Sequence, residues 1–90
     1  MLEELRKKID TLDDEIAKLY LERQSVVKEI GEEKARNRTA VADPSREKQI
    51  IARVTKTADD EQKIYLKRVF ETIMETSRAY QRRLVAPVSP

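Results

Sequence analysis

Residues 2–37 read LEELRKKIDTLDDEIAKLYLERQSVVKEIGEEKARN. Leu2, Leu5, Ile9, Leu12, Ile16 and Leu19 recur at alternating steps of three and four, and Val26 and Ile30 resume the series. That spacing places one apolar stripe along one long α-helix. No Pro interrupts it, and its one Gly, Gly31, comes near the end. The stripe breaks at Arg23, where the period asks for a leucine. A charge on a packed apolar face is strongly unfavourable unless a counter-charge meets it. More cations lie nearby and few local anions match them, so an anionic ligand is the first functional expectation.

The helix also sets the assembly. Over residues 2–37 it should be about 50 Å long at 1.5 Å per residue. A compact chain of 90 residues has a radius of gyration near 12 Å and a diameter of roughly 30 Å. The rest of the chain cannot cover such a stripe along its whole length, and a second copy can. Heptad-like spacing is itself the pattern of helix-to-helix seams. A homodimer is expected.

Working outward, residues 36–42 read as a loop. Asp43 caps the next helix and Pro44 fits its first position. This second helix is expected over 44–56 and presents Ile50, Ile51 and Val54. Residues 57–60 connect to a third helix over 61–84, with Asp59 or Asp60 as its cap. The stripe of the third helix is Leu66, Val69/Phe70, Ile73, Ser77, Gln81 and Leu84. One helical domain over 1–84, followed by a flexible tail over 85–90 with Pro87 and Pro90, completes the expected organisation. The fold class is all-α.

Composition narrows the function. The chain is 39% hydrophobic and 40% charged, which suits long solvent-rimmed helices. Three Tyr, one Phe and no Trp argue against a base-stacking platform. Nineteen basic and seventeen acidic residues are interspersed and net only +2, unlike a general polyanion binder. No nucleic-acid partner is expected. No apolar run nears the roughly 20 residues of a membrane span, and no secretory signal is seen, so a cytoplasmic protein without a membrane partner is the default.

The polar interruptions carry the most information. Lys34 follows Arg23 by almost three whole turns, so the two point the same way about 16 Å apart along the axis. Ser77 and Gln81 sit one turn apart on the stripe of the third helix. Arg46 and Glu47 open the second helix. Packed together, these groups would line a small wet pocket. Each also has a plainer reading. Arg23 can snorkel at the stripe edge, Lys34 suits a helix C-terminus, Arg46 and Glu47 can be surface charges, and Ser77 and Gln81 can bond a neighbouring helix. The joint pattern favours the pocket.

The chain has no Cys and no His. No Ser has a recognisable activating base, and there is no Gly-rich phosphate loop or carboxylate cluster for a metal. No cofactor is implied. A cationic pocket with neither nucleophile nor base suits plain binding or a unimolecular rearrangement. A rearrangement needs only a bound conformer and groups complementary to developing charge.

Several short motifs follow one another along the chain: Leu5-Arg6-Lys7-Lys8-Ile9-Asp10 with Leu12-Asp13, Leu21-Glu22-Arg23, Gly31-Glu32-Glu33-Lys34, Asp43-Pro44-Ser45-Arg46-Glu47 and Ser77-Arg78-Ala79-Tyr80-Gln81. In these the chain resembles the all-α class of chorismate mutase. Each motif alone is weak; their order and spacing over residues 5–84 are specific. The resemblance implies an intertwined homodimer of three-helix chains with active sites shared between subunits. It implies the cofactor-free rearrangement of chorismate, a dicarboxylate with a ring hydroxyl and an enol ether, to prephenate in aromatic amino-acid biosynthesis.

By resemblance, Arg23 pairs with one carboxylate and Arg6 of the other subunit with the second. Lys34 serves a carboxylate and the ether oxygen, and Gln81 donates to the same oxygen. Glu47 accepts from the ring hydroxyl with the Asp43 backbone nearby, and Arg46 and Ser77 complete the carboxylate side. Arg6 lies about 25 Å before Arg23 and off its face, so one straight helix cannot bring both to one ligand. Isochorismate-pyruvate lyase, which shares this fold and a similar cationic pocket, and a non-catalytic dimerisation module are the competing readings. The completeness of the Asp43, Arg46 and Glu47 element favours the mutase. Arg23, Lys34 and Gln81 on buried faces disfavour the module.

Overall fold

A computed structural model describes residues 1–85. Three helices follow in order: α1 (Leu2–Arg36), α2 (Pro44–Thr55) and α3 (Asp60–Val85). The expected helices are all present, with ends moved by a residue or so. Val85, placed in the tail by the sequence, closes α3, and residues 86–90 lie outside the described residues.

Each boundary has a local cause. α1 ends in crossed hydrogen bonds from the Thr39 amide to the Lys34 carbonyl (2.8 Å) and from the Arg38 amide to the Ala35 carbonyl (3.3 Å). That pairing is a Schellman cap, and it puts Arg38 at φ 54°, a position usually given to glycine. Glu33 accepts from Arg36 and Asn37 in the same turn, which hold its carboxyl below the usual glutamate range. Asp43 caps α2, its Oδ1 accepting from the Arg46 amide at 3.1 Å, and Pro44 takes the first helical position, where a missing amide costs nothing. Asp59, one of the two expected candidates, caps α3 by accepting from the Gln62 amide at 2.9 Å.

α1 and α2 both pack on α3 and not on each other. Tyr20 meets Thr76, Arg23 meets Ser77 and Val27 meets Gln81, so α1 and α3 run in the same general direction where they touch. The core is small and lies at that crossing. Val27 and Met74 are its buried hydrophobes, and Ser77 and Gln81 are buried beside them. Met74 corrects the α3 stripe read from sequence. It is only 4% exposed, whereas Val69 is 53% and Leu84 39% exposed. Met74 lies four residues after Phe70 and three before Ser77, on the same helical face, whereas Val69 stands to one side of it.

Gly31 is buried on α1 opposite Gln81. A Cβ there would stand 3.1 Å from Gln81 Cγ, so the missing side chain is what lets α3 approach this closely. The other half of α1 is bare. Leu2, Leu5, Ile9, Leu12, Ile16 and Leu19 are each 50–64% exposed. The chain measures 57 × 28 × 17 Å with a radius of gyration of 16.4 Å, against about 12 Å for a compact domain of this length.

Candidate active site

A cavity of about 370 Å³ opens where the three helices meet. α1 supplies Arg23 and Lys34 to its wall, as their shared face requires. The start of α2 supplies Asp43, Arg46 and Glu47, and α3 supplies Ser77, Arg78 and Gln81. Val26, Val27, Ile30, Val41, Ile50 and Met74 complete the lining. The structure thus brings together every site residue expected from sequence except Arg6. Arg6 lies on the exposed N-terminal part of α1, about 25 Å along the helix from Arg23.

Local order comes from hydrogen bonds between elements. Arg23 Nη1 donates to Ser77 Oγ at 2.5 Å, and Ser77 Oγ in turn donates to the Ile73 carbonyl at 2.8 Å. Gln81 Nε2 donates to the Val27 carbonyl at 3.0 Å, a carbonyl one turn from Gly31. An amide nitrogen carries two protons, so one stays available. Lys34 Nζ donates to the Val41 carbonyl at 2.7 Å, pinning the α1–α2 loop to the rim. Two of its three protons remain. The plainer reading of Ser77 and Gln81 therefore also holds in part: both bond a neighbouring helix, within the same chain.

The electrostatics favour an anion. Four cations face two carboxylates in the lining, a surplus of two positive charges. Arg23 bonds only a neutral hydroxyl, and neither Arg23 nor Lys34 takes part in an ion pair among the described residues. Two half-buried cations without a charged partner, on an apolar-walled cavity, are the arrangement a small dianion complements. No group of carboxylates among the described residues could hold a metal ion.

Of the charged and polar lining residues, Arg78 alone was not expected from the sequence. Arg78 Nη1 lies between both Glu47 oxygens, at 2.6 and 2.7 Å. Its signal was present: it stands three residues before Gln81, the spacing that puts two side chains on one helical face.

Fold and cavity together define a small all-α protein with a cation-lined pocket between three helices. Comparison with known proteins gives the family. Residues 5–82 match the family described as chorismate mutase type II, and the chain belongs to that family. It is 36% identical over 85 residues to a chorismate mutase of Methanocaldococcus jannaschii, spanning 91% of this chain and 85% of that protein. It is 42% identical over 53 residues to a bifunctional chorismate mutase/prephenate dehydratase of Aquifex aeolicus, spanning 59% of this chain and 15% of that protein. The comparison with solved structures returned no significant match.

Proposed function

We propose that this chain is a chorismate mutase that converts chorismate to prephenate without a cofactor. One observation carries the reading: Arg23 and Lys34, from one helix, converge with Gln81 on a single cavity. The substrate is a dianion, matching the surplus charge. Its rearrangement is intramolecular: the ether C–O bond breaks as a new C–C bond forms, and no proton changes place. The protein needs neither base nor nucleophile. It holds the folded conformer and stabilises charge where it grows.

In this reading Arg23 grips one carboxylate, a pairing the planar guanidinium suits, and Ser77 steadies the Arg23 head. Lys34 serves a carboxylate and the ether oxygen. Gln81 donates its free amide proton to that oxygen, which gains negative charge as the C–O bond breaks. Glu47 accepts from the ring hydroxyl beside the Asp43 backbone, and Arg46 closes the carboxylate side. The second carboxylate takes Arg6 of the partner subunit.

The bare stripe on α1 supports that dimer. Six half-exposed aliphatic side chains on one face gain about 1 kcal/mol or more each on being covered. A second copy aligned along α1 would bury them and carry its own Arg6 towards the open side of the cavity. The same reading places the enzyme in the cytoplasm, and no described helix is long and apolar enough to cross a membrane.

The test follows chorismate loss by ultraviolet absorbance, with the product identified as prephenate and no cofactor added. Turnover well above the spontaneous rate is expected. A folded chain that leaves chorismate unchanged, or releases pyruvate from isochorismate instead, would reject the proposal.

A further inference from the structure

We propose that Arg78 is a positioning residue for the reaction, holding the Glu47 carboxylate in place for the substrate hydroxyl. The inference rests on the reading of Glu47 as the hydroxyl acceptor and adds a residue that the reading did not include. Its basis is the contact between α2 and α3. Arg78 Nη1 sits between Glu47 Oε1 and Oε2 at 2.6 and 2.7 Å. Both side chains are largely withdrawn from water, at 28% and 27% exposed. Both also line the cavity.

Among the described residues this is the one ion pair that joins two helices. It is also the one side-chain hydrogen-bonded link between α2 and α3. The helix carrying Glu47 has no fully buried residue of its own. Apolar packing therefore holds α2 loosely, and the pair decides where its first turn stands. A carboxylate offers about four lone-pair sites. Arg78 takes one on each oxygen, so Glu47 still has room to accept from a ligand.

Charge gives the arrangement a second purpose. An unescorted carboxylate in this cavity would repel a dianion. With Arg78 against it, Glu47 presents an acceptor with little net negative charge nearby. Arg78 thus lets an acidic side chain read a hydroxyl inside a pocket built for anions.

The alternative is that the pair only docks α2. Two ligands separate the possibilities: chorismate, and the same diacid lacking the ring hydroxyl, whose inhibition constant is measured against chorismate. If Arg78 acts through Glu47, Arg78→Gln lowers kcat/KM for chorismate about tenfold or more, the scale of one charge-assisted hydrogen bond. Binding of the deoxy analogue changes much less. Arg78→Lys, which keeps a cation with shorter reach, falls between native and Gln. Thermal melts accompany each variant. Equal losses for both ligands, in Arg78→Gln or in Arg78→Lys should the first fail to fold, overturn the proposal. Glu47→Gln is the control on the underlying reading. If it abolishes the preference for the hydroxylated ligand while Arg78→Gln keeps it, the role of Arg78 alone fails. If Glu47→Gln leaves that preference intact, the reading of Glu47 fails and takes the proposal with it.

Discussion

Arg23, Lys34 and Gln81 show how single residues make this pocket. Each has one internal partner and spare donors, so each is already aimed before a ligand arrives. In the proposed site, removing either cation takes away a charge contact to the substrate dianion. Arg23→Ala or Lys34→Ala should lower kcat/KM by at least about two orders of magnitude, with the fold intact by circular dichroism. Near-native turnover in either would remove that side chain from the site. Gln81 does not titrate, so activity should hold between about pH 5 and 8. In Gln81→Glu only the neutral acid can donate, and the optimum should move towards acid in a pH–rate profile. The salt-linked Glu33 will not confuse that profile near neutrality. Its carboxyl is lowered from the ordinary 4.5, so any stability it adds is complete above that value and fades only as pH falls below it.

At the scale of elements, the close approach of α1 to α3 rests on Gly31. Alanine there would gain about 1 kcal/mol in helix propensity. Its Cβ would also press on Gln81 Cγ from 3.1 Å. These effects oppose each other in stability but not in function. Gly31→Ala should therefore melt within a few degrees of the native chain while kcat/KM falls about tenfold, through displacement of the Gln81 amide. An unaltered kcat/KM would show that Gln81 can shift without consequence. α2 is held differently, by its cap and by the Arg78–Glu47 pair. Asp43→Ala should cost about 1 kcal/mol, read as a lower melting temperature, and should raise KM because Arg46 and Glu47 ride on the same first turn.

At the scale of the whole molecule, the single chain leaves one long apolar face uncovered. Its core occupies one end of α1, and the other end presents an uncovered apolar row. The proposed completion of each site by Arg6 of the partner subunit makes a quantitative prediction. Chains carrying Arg6→Ala and chains carrying Arg23→Ala should each be nearly inactive alone. Mixed, unfolded and refolded together, half the dimers are hybrids, and each hybrid rebuilds one of its two sites. Activity should return to about a quarter of native. No recovery, despite hybrid dimers seen by native mass spectrometry, would place both arginines on the same subunit or Arg6 outside the site.

Helix content, helix ends and most of the pocket were legible in the chain itself. Periodicity and caps act within a few residues, so the stripe on α1, Asp43 with Pro44, and the shared face of Arg23 and Lys34 need no distant partner to be read. Arg23 interrupting an apolar row was enough to point to an anion. What escaped depends on how helices lie against one another. Met74 shares the face of Phe70 and Ser77 by spacing, but only the packing of α1 on α3 shows that it is covered and Val69 is not. Arg78 turned to Glu47 across a gap between helices that no spacing rule spans. Gly31 became a contact point only once Gln81 lay over it. Local rules fix which side of a helix is apolar; packing in three dimensions settles what that side meets.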